Sequence, residues 1–178
     1  CFLIDFCKAF DTVNHAVLIS KLKRLNMPDY VLNWIINFLS DRSQQVKFDG
    51  ILSSSCKITR SILQGSRLGQ TLYIVMENDL HPMSDWINLL FKFADDTNLI
   101  VPQITDFSAK VEIGNIKMWA LENKMEINWE KTTELVFRRP STELSLLPDP
   151  LCNIEQVLEA RLLDWCSDKW KIQFYFSR

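Results

Sequence analysis

The sequence predicts an α+β fold, an antiparallel sheet with helices packed on one face. Three observations carry that expectation. Strand-like apolar runs and helical periodicities occur together in one chain of 178 residues. They do not follow the regular strand–helix–strand alternation that marks a parallel sheet. The clearest pair of apolar runs, 89–93 and 99–101, is joined by two adjacent carboxylates, Asp95 and Asp96, and not by a crossover helix.

Each element has its own warrant. Residues 1–6 form a short buried strand whose one charge is Asp5. Residues 13–26 carry Leu18, Leu22 and Leu25 at helical spacing. Met27-Pro28-Asp29 breaks that helix, and a second over 30–40 places Leu32, Ile35, Ile36 and Leu39 on one face. The Asp49-Gly50 turn predicts a hairpin between Gln45–Phe48 and Ile51, followed by a loop at Ser53–Ser55, with Ile58 pairing back. A helix follows Gly65-Ser66 with Leu68, Leu72, Val75 and Met76 inward. Residues 106–123 form another, with Ile113, Ile116 and Ala120 inward; 125–128 and 133–137 read as strands, 140–153 as loop. The pattern over 154–178 fits neither helix nor strand clearly.

Composition narrows the class. The chain is 47% hydrophobic and 24% charged, enough apolar mass for a core. Its net charge of −2 argues against strong nonspecific phosphate binding by this segment alone. Five scattered cysteines without a CxxC pair favour reduced thiols in an intracellular setting, with nucleus and cytoplasm undistinguished. No apolar run reaches membrane-spanning length. Nothing in the sequence sets an oligomeric state. The chain begins at Cys1 inside a strand-like run and reads as a fragment.

The chemistry centres on carboxylates. Burying an ionised carboxylate is costly unless a cation compensates it. Asp95-Asp96 at a hairpin tip, and Asp5 at the end of a buried strand, therefore suggest a metal platform. Asp5 and Asp95 converge across the ladder if strand 1–6 lies beside strand 89–94. Such carboxylates suit two metals about 3.5–4 Å apart for in-line phosphoryl transfer. Oxygen-only ligands favour Mg²⁺ or Mn²⁺ over zinc. Each element alone is equally well explained as a cap or a turn. The bend Ser61–Gln70 can admit a nucleotide close to its backbone at Gly65, yet many helices start at Gly-Ser. Lys131, between two strands, reads on its own as a solvated side chain.

The order of these segments resembles the reverse transcriptases of non-LTR retrotransposons, nearest the jockey- or CR1-like branches. Leu3-Ile4-Asp5-Phe6-Cys7-Lys8-Ala9-Phe10-Asp11 looks like the first palm motif, and Gln64-Gly65-Ser66-Arg67-Leu68-Gly69 the second. Phe93-Ala94-Asp95-Asp96 matches the catalytic hairpin. Trp119, Asn128 and Lys131-Thr132 resemble the next motif, and Arg161-Leu162-Leu163 the start of the primer grip. The resemblance implies a polymerase palm over 1–139, with the fingers missing upstream, and a degenerate primer grip and start of thumb over 140–178. Its chemistry would be RNA-directed DNA synthesis with two Mg²⁺ or Mn²⁺ ions, an RNA template, a DNA primer and a dNTP. Asp5, Asp95 and Asp96 would hold the metals. Phe10 would be the aromatic gate against a 2′-hydroxyl, Gln64 and Gly65 would border the nucleotide, and the main chain from Phe6 would approach the triphosphate. Lys131 would sit near the leaving pyrophosphate.

The second motif departs from the family pattern. Ser61, Leu63, Arg67 and Gln70 stand where Gly, Pro, Val and Pro are usual, and Ser61 is expected to resist the backbone angles of Gly. Asp164 replaces a Gly after Leu162-Leu163, which suggests a decayed, truncated copy with little or no activity. Two rivals stay open on these residues: a non-catalytic remnant that at most binds nucleic acid or protein, and a palm-type RNA-dependent RNA polymerase.

Overall fold

The computed structural model describes residues 1–63, 65–137, 150–151 and 154–160. Gln64, nearly all of the expected loop 140–153, the Arg161-Leu162-Leu163 segment and the tail Trp165–Arg178 lie outside the described residues. In chain order the elements begin with β1 (Phe2–Ile4), α1 (Ala9–Thr12), α2 (His15–Leu22) and α3 (Asp29–Leu39). The short strands β2 (Ser43–Gln44), β3 (Lys47–Phe48), β4 (Ile51–Leu52) and β5 (Cys56–Lys57) come next, then α4 (Arg67–Glu77). The hairpin β6 (Leu89–Phe93) and β7 (Asp96–Ile100), α5 (Ala109–Glu122), β8 (Thr133–Leu135) and β9 (Glu155–Val157) complete the order. The chain forms two compact units, Cys1–Cys7 with Leu80–Arg178, and Lys8–Asp79.

The first unit is built on a five-stranded sheet in the order β6-β7-β1-β8-β9. All its pairings are antiparallel except the parallel pair β8–β9. This is the expected α+β arrangement. Strand β9, from beyond residue 140, pairs alongside β8. One neighbour differs from expectation. Strand β1 pairs with β7, the return strand of the hairpin, and not with β6. The expected strand 125–128 is reduced to one bridge, Phe6 opposite Ile127, because the chain leaves the ladder between them and β8.

Alternation along β1 separates two faces. Phe2, Ile4 and Leu99 are buried, while Leu3 and Asp5 are half-buried. On α5 the expected inward residues Ile113, Ile116 and Ala120 are buried together with Trp119, whose ring meets Phe6 edge-on at 5.9 Å. The same helix carries Glu112, 0% exposed. Its carboxylate accepts from the main-chain N–H of Met83 at 2.9 Å and of Ser84 at 3.2 Å, and from Asn88 Nδ2 at 2.6 Å. Asn88 in turn accepts from Thr105 Oγ1 at 2.7 Å. These bonds hold the segment that enters β6, and Lys92 Nζ on β6 donates back to Leu80 O at 3.0 Å.

In the second unit α2 packs on α4 and on α3. Leu18, Leu22, Ile35, Leu39, Leu72 and Met76 are buried, as their spacing predicts, whereas Leu25 is 39% exposed because α2 ends before it. The Asp49-Gly50 hairpin is present. Both turn residues have positive φ, 47° and 79°, which suits a two-residue loop. Lys21 Nζ reaches Met76 O and Asp79 Oδ1, tying α2 to the end of α4. Burial lowers the Lys21 pKa, and Asp79 partly restores it.

Ser61 corrects one expectation. It adopts φ 86°, the conformation a glycine would favour. Its N–H donates to Val13 O at 2.9 Å, and its carbonyl contacts His15 Nε2 at 2.7 Å. These bonds hold a strained backbone in place.

Replacing Ser61 with Gly therefore raises stability by about 1 kcal/mol, since the strain relieved exceeds the entropy lost. Urea denaturation reads this as a higher midpoint. Glu112→Ala takes the acceptor from the N–H groups of half-exposed Met83 and buried Ser84 and from the shorter of two bonds of Asn88, and lowers stability by about 2 kcal/mol. The same denaturation series checks it, and a change below about 0.5 kcal/mol would contradict the anchoring role.

Candidate functional site

The hairpin β6–β7 closes through a two-residue turn, since Phe93 pairs with Asp96. Ala94 and Asp95 are its two loop residues, and Ala94 has φ 52°. Asp95 is half-buried in the turn, and Asp96 is the exposed first residue of β7.

Register fixes which carboxylate meets Asp5. Leu3 faces Asn98 and Ile4 faces Thr97, the last pair of the β1–β7 ladder; continuing that register by one residue brings Asp5 level with Asp96, and not with Asp95 as expected. Directly opposed residues hold their Cβ atoms about 4.5–5.5 Å apart. Leu3, Asp5, Asp96 and Asn98 share one face by the two-residue period. That face holds a shallow pocket of about 260 Å³ lined by Leu3, Ile4, Asp5, Asp96, Asn98, Lys131 and Thr133. Asp5, Asp96 and Lys131 are thus brought together. Asp95 is not among the lining residues.

The main chain of Asp5 is held from the segment that carries Lys131. Asp5 O accepts from Asn128 N–H at 2.8 Å, and Asp5 N–H donates to Thr132 Oγ1 at 3.3 Å. Two residues on, the Cys7 thiol has its pKa raised, first by burial, then by the Glu126 and Asp5 carboxylates, with Lys131 acting the other way.

The remaining expected residues lie elsewhere. Phe6 is 2% exposed, and its ring belongs to the core against Trp119; its main chain sits at the Ile127 bridge. Phe10 and Gly65 belong to the second unit. The Phe10 ring stacks on Tyr73 at 4.6 Å and 22°, and its carbonyl accepts from Ile62 N–H. Gly65 is exposed with φ 81°. Gln64 lies outside the described residues.

Three residues were given no individual role from sequence. Asn98 lies two positions after Asp96, so strand period alone places both on one face. Thr133 gave no signal beyond its place in an expected strand. Gly69 is the third. A Cβ there would meet Leu63 O at 2.2 Å and Ser66 Oγ at 2.9 Å. Ser66 caps α4 by accepting from Gly69 N–H at 2.9 Å, so the cap itself draws the chain close. A Ser three residues before a Gly at a helix start was the available signal.

Among the described residues no group of three or more His, Cys, Asp or Glu is placed to hold a metal ion. The pair Asp5 and Asp96 nonetheless suits Mg²⁺. That ion is commonly held by one or two carboxylates, its own waters and substrate phosphates, without an all-protein cage. The pocket lining contains no thiol or imidazole. Among the described residues no helix is long and apolar enough to cross a membrane.

The family described as Reverse transcriptase (RNA-dependent DNA polymerase) matches residues 1–172. Two relatives carry the name RNA-directed DNA polymerase from mobile element jockey. The Drosophila melanogaster protein is 32% identical over 75% of this chain. The Drosophila funebris protein is 30% identical over 77%. The chain spans 16% of the length of each of these curated relatives.

Gly69→Ala forces the start of α4 away from Leu63 and lowers stability by about 1–3 kcal/mol. Thermal unfolding measures the loss, and limited proteolysis shows whether cleavage concentrates at 63–69. An unchanged melting temperature would contradict the close approach.

Proposed function

The chain belongs to the reverse transcriptase (RNA-dependent DNA polymerase) family, and from that premise we propose that its sheet pocket serves RNA-templated DNA synthesis. The reaction is attack of a primer 3′-hydroxyl on the α-phosphate of a dNTP. The observation that carries this reading is the placement of Asp5 opposite Asp96 on an open sheet face, in one pocket with Lys131.

Asp5, Asp95 and Asp96 are the groups that would hold two Mg²⁺ or Mn²⁺ ions. When bound, such ions activate the attacking oxygen and stabilise the leaving one. The chain's own residues do the rest. The β1–β7 ladder ends one residue short of Asp5 and begins beside Asp96, which supports a site whose two carboxylates are held by the sheet before any cation binds. Lys131 stands at the pocket, where its amine can offset phosphate charge and pass a proton to the departing pyrophosphate. Phe10 and Gly65 are assigned to the dNTP by their motif positions, as is Gln64. RNA template and DNA primer are the partners that the reaction requires.

A direct test is Mn²⁺ titration of the whole chain, unsubstituted and as Asp5→Asn, followed by primer extension on an RNA template with dNTPs or rNTPs. Removing one carboxylate weakens Mn²⁺ binding by about ten-fold or more. Any extension prefers dNTPs and disappears in the variant. Equal Mn²⁺ affinity, or extension that survives Asp5→Asn, contradicts the proposal. Retained metal binding with no extension points to a non-catalytic remnant, and preference for rNTPs points to an RNA-dependent RNA polymerase.

A further inference from the structure

We propose that Thr132 is a positioning residue for this site: its hydroxyl takes over a main-chain hydrogen bond of Asp5, fixing Asp5 while releasing Lys131 from the sheet. The inference rests on the reading of Asp5 as a metal ligand and deepens it.

The argument starts from the β1–β8 ladder. Cys1 and Leu135 exchange both hydrogen bonds, Cys1 N to Leu135 O at 2.8 Å and Leu135 N to Cys1 O at 2.7 Å. Hydrogen-bonded pairs recur every second residue in an antiparallel ladder. Leu3 opposite Thr133 is the next such pair. Asp5 opposite Lys131 would be the one after. In that arrangement Lys131 would be an ordinary strand residue, its main chain occupied by Asp5.

The structure departs from the ladder at that step. Asp5 O accepts from Asn128 N–H, and Asp5 N–H donates to the Thr132 hydroxyl. Lys131 N–H turns back to Asn128 O at 3.2 Å. Pairing resumes at Phe6 opposite Ile127. Three steps along one strand, Leu3 to Phe6, are matched against six along the other, Thr133 to Ile127. Three residues are therefore looped out, and Lys131 lies in that excursion, exposed at the pocket.

Thr132 closes the gap. It is 1% exposed. Its hydroxyl donates to Asn128 O at 2.8 Å and accepts from Asp5 N–H. A hydroxyl is one donor and an acceptor at once, so this single group satisfies the turn and Asp5 together. Valine can do neither, and serine can do both. Without the hydroxyl the Asp5 amide keeps no partner in this gap, and the strand end bearing the carboxylate loses its restraint opposite Asp96.

The test uses the full chain as Thr132→Val and Thr132→Ser, with two readouts. Amide hydrogen exchange at Asp5 is expected to quicken by about ten-fold in Thr132→Val and to stay near its original rate in Thr132→Ser. Mn²⁺ affinity falls with the first variant and is rescued by the second, while the amides of Phe2 and Leu99 keep their protection. Should the valine variant fail to fold, Thr132→Ala removes the hydroxyl without adding bulk and repeats the comparison. Unchanged exchange at Asp5 without the hydroxyl, or a serine variant as impaired as valine, overturns the proposal. The expected exchange pattern in a chain that binds no Mn²⁺ supports the clamp and overturns the metal reading alone.

Discussion

The register of β1 against both its neighbours is the constraint on which the site depends. A strand paired on one side can slip by one residue and turn its carboxylate to the other face. Here β7 fixes Leu3 against Asn98 and β8 fixes Leu3 against Thr133. A slip would have to break both ladders and expose Phe2 and Ile4, which are 2% and 3% exposed. Burying such side chains is worth about 1.5–3 kcal/mol each. The apolar face of β1 thus pins the polar one as far as Ile4, and the bonds of Asp5 to Asn128 and Thr132 hold the residue that follows.

The hairpin facing Asp5 needs a separate anchor, because among the described residues β6 is a sheet edge with one strand neighbour. Glu112 supplies it from α5. A fully buried carboxylate is tolerable only when its lone pairs are satisfied, and here two main-chain N–H groups and an amide do so. Ordinary apolar packing would hold the entry segment less specifically, since apolar contacts have no preferred direction. The helix therefore sets where β6 begins, and the tight turn then sets where Asp96 falls.

Much of this was legible in the sequence. The inward face of α5 follows from spacing alone, and the Asp49-Gly50 turn was placed from local residue chemistry, while the second hairpin turns one residue earlier than expected, at Ala94-Asp95. Which strands are neighbours was not legible. Both β6 and β7 are apolar runs beside the same carboxylates, and either could have paired with Phe2–Ile4. The choice is made by tertiary packing that places Leu99, and not a β6 residue, opposite Phe2. The loss of strand character at 125–128 was hidden for a related reason. Its residues have strand-like composition, but the excursion at 129–131 interrupts the pairing that would make them a strand. Ser61 shows a third kind of blindness, since intrinsic preference argued against the angles that two hydrogen bonds impose.

The adjacency of Asp95 and Asp96 gains its meaning from the turn. Within a strand, neighbouring side chains point to opposite faces, so two consecutive carboxylates would serve two different surfaces. Only where the chain reverses does that alternation lapse. Asp96 begins β7 and obeys the strand period, sharing a face with Asn98. Asp95 occupies the second loop position and is free of the period. A tight two-residue reversal also demands positive φ at its first position, and Ala94 supplies it with the smallest side chain short of glycine. A bulkier or β-branched residue there would strain the backbone further and loosen the turn. The small residue at Ala94 and the break in alternation between Asp95 and Asp96 thus follow from one geometry, a two-residue hairpin turn.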